Sequence, residues 1–135
     1  MSAFFDANLL IYAQQSGDKA DRARALLAGG GVLSVQALNE FAAVAHRKLG
    51  KDWDSIDAAI EDVLALVEPP QPLTLATHKA ARALARAHRF AFCDALIVAA
   101  AVEAGCDTLF TEDMPGGRRI GALTIVDPFT PTTRP

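Results

Sequence analysis

The stretch FCDALIVAAAVEAG at residues 92–105 limits the fold of this chain more than any other segment. In a helix, its apolar side chains would lie on nearly every side, so one contact face could not cover them. Such a helix is buried either inside a layered domain or in a membrane. Because no apolar run of the chain reaches the roughly 18 residues that span a bilayer, we expect a buried core helix.

Short apolar runs alternate with helical patterns along the rest of the sequence, and Gly- and Pro-containing turns separate them. This alternation predicts an α/β fold with a mostly parallel sheet. The predicted strands are Ala3–Phe5, Gly31–Leu33, Thr108–Phe110 and Leu123–Val126, with a doubtful fragment near Leu73–Leu75. The predicted helices cover residues 7–15, 18–28, 34–49, 54–67, 76–89 and 92–104.

The size and composition of the chain are typical of one globular domain, with 135 residues of which 51% are apolar and 21% charged. We place this domain at residues 1–129 and a loose Pro- and Thr-rich tail at 130–135. Two cysteines without CxxC spacing, and the absence of a signal-like N-terminal segment, favour the cytoplasm. The net charge of −3 does not by itself indicate nucleic-acid binding.

Two carboxylates follow predicted strands at the edge where parallel sheets bind ligands, the carboxyl end. Asp6 comes directly after the first strand, and Asp113 lies three residues past the strand TLF, with Thr111 and Glu112 beside it. If both strands are central in one sheet, both acids reach the same edge. Asp6 could equally be a plain helix N-cap, and Asp113 a loop acid.

Asp94 and Glu40 are two further acidic candidates. Asp94 opens the buried helix, where the helix dipole stabilises an anion by only about 0.3–1 kcal/mol. Burying an unpaired carboxylate costs several kcal/mol, so either a cation compensates Asp94 or the residue is an N-cap near the surface. Glu40 projects away from the apolar stripe of helix 34–49, which alone favours a solvated glutamate. Carboxylates gathered without basic partners repel one another, and a hard divalent cation such as Mg²⁺ relieves that repulsion.

Four stretches of the sequence resemble the PIN-domain ribonucleases and, within them, the VapC-type toxins of toxin–antitoxin pairs. These stretches are FFDANLLIYA (4–13), LSVQALNEFAAVAHRK (33–48), FCDALIVAAAVEAGCDTLFTEDM (92–114) and IVDPF (125–129). The resemblance implies a three-layer α/β/α sandwich with a mostly parallel central sheet of four to five strands. It carries the family's acidic site over to Asp6, Glu40, Asp94 and Asp113, with Asn8 and Thr111 as supporting polar residues.

The resemblance implies a metal-dependent endoribonuclease whose products carry a 5′-phosphate and a 3′-hydroxyl. Asp6, Asp94 and Asp113 would hold one or two Mg²⁺ or Mn²⁺ ions, directly or through waters. Glu40 would coordinate an ion or orient the attacking water, and the role of Glu112 stays open.

One alternative is a Mg²⁺-dependent phosphohydrolase, which would explain Asp6 after the first strand. The families that form an acylphosphate, however, have a second Asp two positions on, where this chain has Asn8, and no Gly-rich phosphate loop supports nucleotide hydrolysis. Another is a PIN-like module that binds RNA or protein without cutting.

Basic side chains offer a surface for RNA. Four of them lie within about 80° of one another on helix 76–89, namely Lys79, Arg82, Arg86 and Arg89. The stripe could contact phosphates or be an ordinary solvated face. We expect the opposite face to pack inward through Ala80, Ala83, Leu84 and Ala87. Arg118 and Arg119 form a second candidate for contacting RNA.

The resemblance also implies two protein partners. One is a second copy of the chain in a homodimer. The other is a VapB-type antitoxin that blocks the acidic pocket, often with an inserted basic side chain. Exposed apolar residues on the helices at 7–28 and 34–67 are the candidates for the antitoxin groove.

Overall fold

The computed structural model describes residues 2–130, in which five strands and six helices are found. The strands are β1 (Ala3–Phe5), β2 (Val32–Leu33), β3 (Thr108–Phe110), β4 (Arg119–Ile120) and β5 (Leu123–Val126). The helices are α1 (Ala7–Ala13), α2 (Asp18–Ala28), α3 (Val35–Arg47), α4 (Trp53–Leu64), α5 (Leu75–His88) and α6 (Phe92–Glu103). The predicted loose tail lies, from residue 131 onward, outside the described residues.

The five strands form one sheet in the order β2-β1-β3-β5-β4, with β2 and β4 at its edges. Strand β4 runs antiparallel to β5. The other pairs are parallel, which confirms the expected mostly parallel sheet of an α/β/α sandwich. From β1 the chain crosses over to β2 on one side, and from β3 it continues to β5 on the other. The strand order therefore reverses between β1 and β3, and a crevice opens beyond their carboxyl ends.

Helix α6 confirms the expectation of a buried core helix. Every residue from Ala95 to Ala101 is buried. On the sheet, Phe4, Leu109 and Ile125 are fully buried as well. Within residues 2–130, none of the helices has both the length and the apolar character needed to cross a membrane.

Local capping explains where several helices begin. The Ser34 hydroxyl accepts a hydrogen bond from Ala37 N (3.1 Å) at the start of α3, and the Asp52 carboxylate accepts one from Ser55 N (2.8 Å) at the start of α4. Side-chain capping of this kind satisfies N–H groups that have no partner inside the helix. Thr74 opens α5 with a capping box.

The structure differs from the sequence prediction at two places in the sheet. The doubtful strand near Leu73–Leu75 is wrong, because Leu75 already begins α5 and the strand-like contact lies earlier, where Gln71 bridges Ser34. Strand β2 begins at Val32 and not at Gly31. Gly31 has a φ of 152°, and a Cβ there would lie 2.8 Å from the carbonyl oxygen of Ala3. Only glycine fits this close approach to β1.

Candidate active site

The Asp6 side chain is anchored at the point where β1 ends and α1 begins. It is 3% exposed. Its Oδ1 accepts a hydrogen bond from Ala7 N (2.6 Å) and its Oδ2 accepts one from Thr111 Oγ1 (2.7 Å). Asp6 is therefore the N-cap of α1, as the sequence predicts, and it is also tied to the end of β3.

Thr111 is the centre of this network. Its hydroxyl, on a fully buried residue, donates to Asp6 and accepts from Asn8 Nδ2 (3.2 Å) and from the Asp113 backbone N–H (3.1 Å). A hydroxyl has one donor and two acceptor positions, so all three are used. Asn8 Nδ2 also donates to Asp113 Oδ2 (3.1 Å). Asn8 and Thr111 thus connect the two strand-end acids.

Asp94 and Glu40 reach the same place from two helices. One cavity of about 280 Å³ is lined by all four predicted acids, together with Ala7, Asn8, Ile11, Ala43, Val44 and Arg47. Asp94 lies in the first turn of α6, but the N-cap position belongs to Ala91, so the N-cap interpretation of Asp94 is wrong. Glu40 is half-buried against the cavity, so it is not the freely solvated glutamate that its helical position alone favoured.

Three of the cavity carboxylates have raised pKa values. Burial, opposed by the hydrogen bonds from Thr111 and Ala7, raises the pKa of Asp6 to about 6. Burial, then repulsion by the other cavity acids, raises the pKa of Glu40 to about 7. The pKa of Asp94 is raised by burial and by the charge of Asp113. Each shift has the sign expected when like charges gather away from water.

The donor set suits a hard divalent cation. Its side-chain oxygens are those of the four carboxylates and the Asn8 amide, and neither of the two ion pairs in residues 2–130 involves a cavity acid. In the same part of the chain, no three Asp, Glu, His or Cys side chains lie close enough together to hold an ion between them. Mg²⁺ keeps several waters and needs only one or two direct carboxylates, so the open arrangement is compatible with it.

Glu112 points away from the cavity. Its carboxylate accepts a hydrogen bond from the Tyr12 hydroxyl (2.6 Å) and forms an ion pair with Lys19. The contact with Lys19, and to a lesser extent that with Tyr12, holds the pKa of Glu112 below its usual range. The Tyr12 ring packs edge-on against Phe129, with centroids 4.9 Å apart. Glu112 therefore fastens the loop after β3 to α1 and α2.

Arg47 is a cavity residue that the sequence analysis did not single out. It lines the cavity from the last turn of α3. It lies seven positions after Glu40 in the sequence, which places the two on the same side of the helix at 100° per residue. This spacing is the signal that could have revealed Arg47.

The predicted basic stripe on α5 is exposed, but the side of the helix that packs against the core differs in part from the predicted side. Lys79, Arg82 and Arg86 line a surface groove of about 460 Å³ together with Ala83 and Ala87. Ala83 and Ala87 are exposed, so the prediction that they pack inward is wrong. Ala80 and Leu84 do pack against the core, and Thr77 and Ala81 are the buried residues of α5.

The remaining basic candidates differ in their surroundings. Arg89 ends α5 in the left-handed conformation, with a φ of 60°. Arg118 donates to the carbonyl oxygen of His88 (2.6 Å) and stacks over the Phe90 ring at 4.5 Å. Its guanidinium is thus engaged within the protein. Arg119 lies exposed on the edge strand β4.

Three solved structures share this fold. VapC20 of Mycobacterium tuberculosis, described as a sarcin–ricin loop cleaving toxin, is 20% identical with a TM-score of 0.66 over 80% of this chain and 87% of its own. A toxin–antitoxin complex from Klebsiella pneumoniae is 21% identical with a TM-score of 0.69, and the match covers 95% of this chain and 98% of the other. VapBC2 from Rickettsia felis, bound to a DNA fragment from its promoter, is 17% identical with a TM-score of 0.66, and the match covers 93% of this chain and 97% of the other.

The sequence itself carries the family assignment. Comparison with curated proteins gives no match. The family model described as the PIN domain, however, matches residues 3–114. That range contains all four cavity acids and the strands β1 and β3 that position two of them. The chain belongs to the PIN domain family.

Proposed function

We propose that this protein is a cytoplasmic endoribonuclease that hydrolyses RNA phosphodiester bonds with Mg²⁺ or Mn²⁺ and serves as the toxin of a toxin–antitoxin pair. The observation that carries the proposal is the meeting of four carboxylates, from four separate elements, in one cavity without an ion-paired cation among the described residues. The similarity to the folds of a sarcin–ricin loop cleaving toxin, of a toxin–antitoxin complex and of VapBC2 supports the toxin role.

The proposed roles follow from the contacts of each acid. A divalent ion bound in the cavity would supply an activated water and would stabilise charge on the phosphate. Asp6, Asp94 and Asp113 would hold it, and the hydrogen bonds of Thr111 and Asn8 fix the orientation of the Asp6 and Asp113 carboxylates. Glu40, with a pKa of about 7 in the metal-free protein, is suited to orient the attacking water and accept its proton at a carboxylate oxygen.

The RNA approaches an acidic cavity and needs positive charge elsewhere. The exposed groove of Lys79, Arg82 and Arg86 on α5 provides it. Helix α5 ends at His88 with Arg89 as its C-cap, five positions before Asp94, so the basic helix leads to the active-site end of α6. Phosphate contacts of this kind supply affinity that depends strongly on salt but carries no sequence preference.

The antitoxin is proposed to bind an apolar groove on another part of the surface. A cavity of about 430 Å³ lies among α1, α2 and α4 and includes Ala13, Leu27, Val63 and Leu66. Leu66 is 48% exposed. These residues belong to the helices from which the sequence analysis expected the groove to form. We also propose a homodimer, which the mass of the purified protein in solution would test.

The decisive experiment is RNA cleavage by the purified, antitoxin-free protein. Structured total RNA would be incubated with Mg²⁺ or Mn²⁺, and separately with EDTA. The variant Asp94→Asn keeps the shape of the side chain and removes its charge. Asp57→Asn, at an exposed position of α4, is the matched control for losing one acidic charge.

Discrete cuts that require the ion, persist in the Asp57→Asn protein and vanish in the Asp94→Asn protein would support the nuclease assignment. Cleavage that survives both EDTA and the Asp94 substitution would come from a contaminant and contradict it. RNA binding without cleavage would favour a non-catalytic binding module. Hydrolysis of small phosphate esters without RNA cleavage would favour a phosphohydrolase.

A further inference from the structure

Arg47 is a cation that lines a cavity otherwise rich in carboxylates. It is exposed in the last turn of α3, about 10 Å along the helix axis from Glu40. An arginine next to acidic side chains would normally form an ion pair with one of them. In residues 2–130, however, the ion pairs are Lys19–Glu112 and Arg24–Asp21. Arg47 thus faces the cavity with its guanidinium free of a carboxylate partner in the described part of the chain.

The position of Arg47 also differs from that of the basic groove. Lys79, Arg82 and Arg86 are on α5, whereas Arg47 is on α3, the helix that carries Glu40. A phosphate next to the reacting one would meet repulsion from the cavity acids. A guanidinium at the same cavity offsets this repulsion and offers two parallel N–H donors to a phosphate.

We propose that Arg47 binds a backbone phosphate of the RNA strand beside the bond that is cut. The inference rests on the proposed nuclease function and extends it by naming a substrate contact outside the acidic set. Arg47 holds the substrate in the ground state and the transition state alike, so its loss raises KM and leaves kcat nearly unchanged.

The test compares Arg47→Gln, Arg47→Lys and a matched control. Lys48→Gln removes a neighbouring exposed charge at the C-cap of α3, and Lys48 does not line the cavity. Steady-state cleavage of a short oligoribonucleotide would be measured over a range of salt concentrations. Urea unfolding of each metal-free variant would show whether Arg47 stabilises the fold by offsetting the acids.

We expect Arg47→Gln to raise KM about 5- to 10-fold, to change kcat less than about twofold, and to reduce the slope of log kcat/KM against log salt by about 0.7. Arg47→Lys should keep the salt slope and recover part of KM, because a lysine retains the charge without the paired donors. Lys48→Gln should resemble the wild type, and none of the three should alter the urea midpoint.

An unchanged KM in the Arg47→Gln protein would overturn the inference, and so would a fall in kcat with KM constant or a shift of the urea midpoint. If the wild type cuts no RNA, the nuclease assignment fails separately. RNA binding measured by fluorescence anisotropy would then decide the phosphate contact. Weaker binding by Arg47→Gln would support the contact, and equal binding would overturn it.

Discussion

Replacing Glu40 by glutamine is expected to stabilise the metal-free protein at alkaline pH. Glutamine has the shape of a protonated glutamate but does not ionise. In the folded wild type, burial and then the neighbouring acids raise the pKa of Glu40 from 4.5 to about 7. The folded protein therefore binds a proton that the unfolded chain has already lost, and the free energy of unfolding falls as pH rises between these two values.

The size of the effect follows from this shift. A shift from 4.5 to about 7 would correspond to about 3 kcal/mol for a fully buried group. Glu40 is only half-buried, and solvent screening reduces the expected gain to about 1–2 kcal/mol at pH 8. The gain should be less than half as large at pH 5.5, where Glu40 is protonated in the folded state. The gain expected at pH 8 is a considerable fraction of a typical free energy of unfolding of about 5–15 kcal/mol.

The assay is urea unfolding followed by circular dichroism in EDTA, at pH 5.5 and at pH 8. Glu61→Gln, at an exposed site of α4, controls for the loss of a glutamate charge. Addition of Mg²⁺ at pH 8 should stabilise the wild type more than the Glu40 variant, because an ion that binds the folded state preferentially raises the free energy of unfolding.

Two results would contradict this reasoning. The first is a Glu40→Gln protein that is no more stable than the wild type at pH 8 in EDTA. The second is an equal gain for Glu61→Gln, which would assign the effect to net charge and not to the cavity. Comparing variant with wild type at each pH removes the contribution of titrating groups that do not interact with Glu40.

Three further predictions concern the neighbours of the acids and the apolar groove. Thr111→Val should lower the free energy of unfolding by about 2–3 kcal/mol, because the groups bonded to the Thr111 hydroxyl lose their partner. The control Thr124→Val should change it by less than about 1 kcal/mol. Urea unfolding measures both variants. Glu112→Gln should keep metal-dependent RNA cleavage within about threefold, whereas Asp113→Asn should lower it at least about 100-fold; equal losses would make Glu112 part of the ion site. Leu66→Asp should weaken inhibition by the cognate antitoxin at least about tenfold without altering cleavage by the free protein, and unchanged inhibition would place the antitoxin elsewhere.

Strong local patterns allowed most of the fold to be predicted from the sequence. The strands Ala3–Phe5, Thr108–Phe110 and Leu123–Val126 have the predicted bounds, because each is a short apolar run with clear turn signals on both sides. Strand β4 was not predicted, since its two residues, Arg119 and Ile120, carry no periodic pattern and are held only by pairing with β5. Tertiary contacts, which a local pattern does not contain, decide such short elements.

Part of the candidate site could likewise be predicted from the sequence. The placement of Asp6 and Asp113 at one edge followed from the general rule for parallel sheets. The position of Glu40 did not follow from its helical wheel, because a wheel relates residues on one helix and not one helix to another. The family resemblance supplied that residue. Arg47 was missed although it lies on the same side of α3, since the acids alone defined the expected site.

The arrangement of the acids links ion binding to the packing of the fold. Asp6 and Asp113 are joined by Thr111 and Asn8, so their part of the site is formed without an ion. The other two acids come from α3 and α6 and take no part in this network, and their mutual repulsion opposes close approach of the two helices to the sheet edge. A cation bound among all four would remove that repulsion and draw the outer acids toward the fixed inner pair. The same charges that disfavour the metal-free protein would thus favour the binding of a divalent ion.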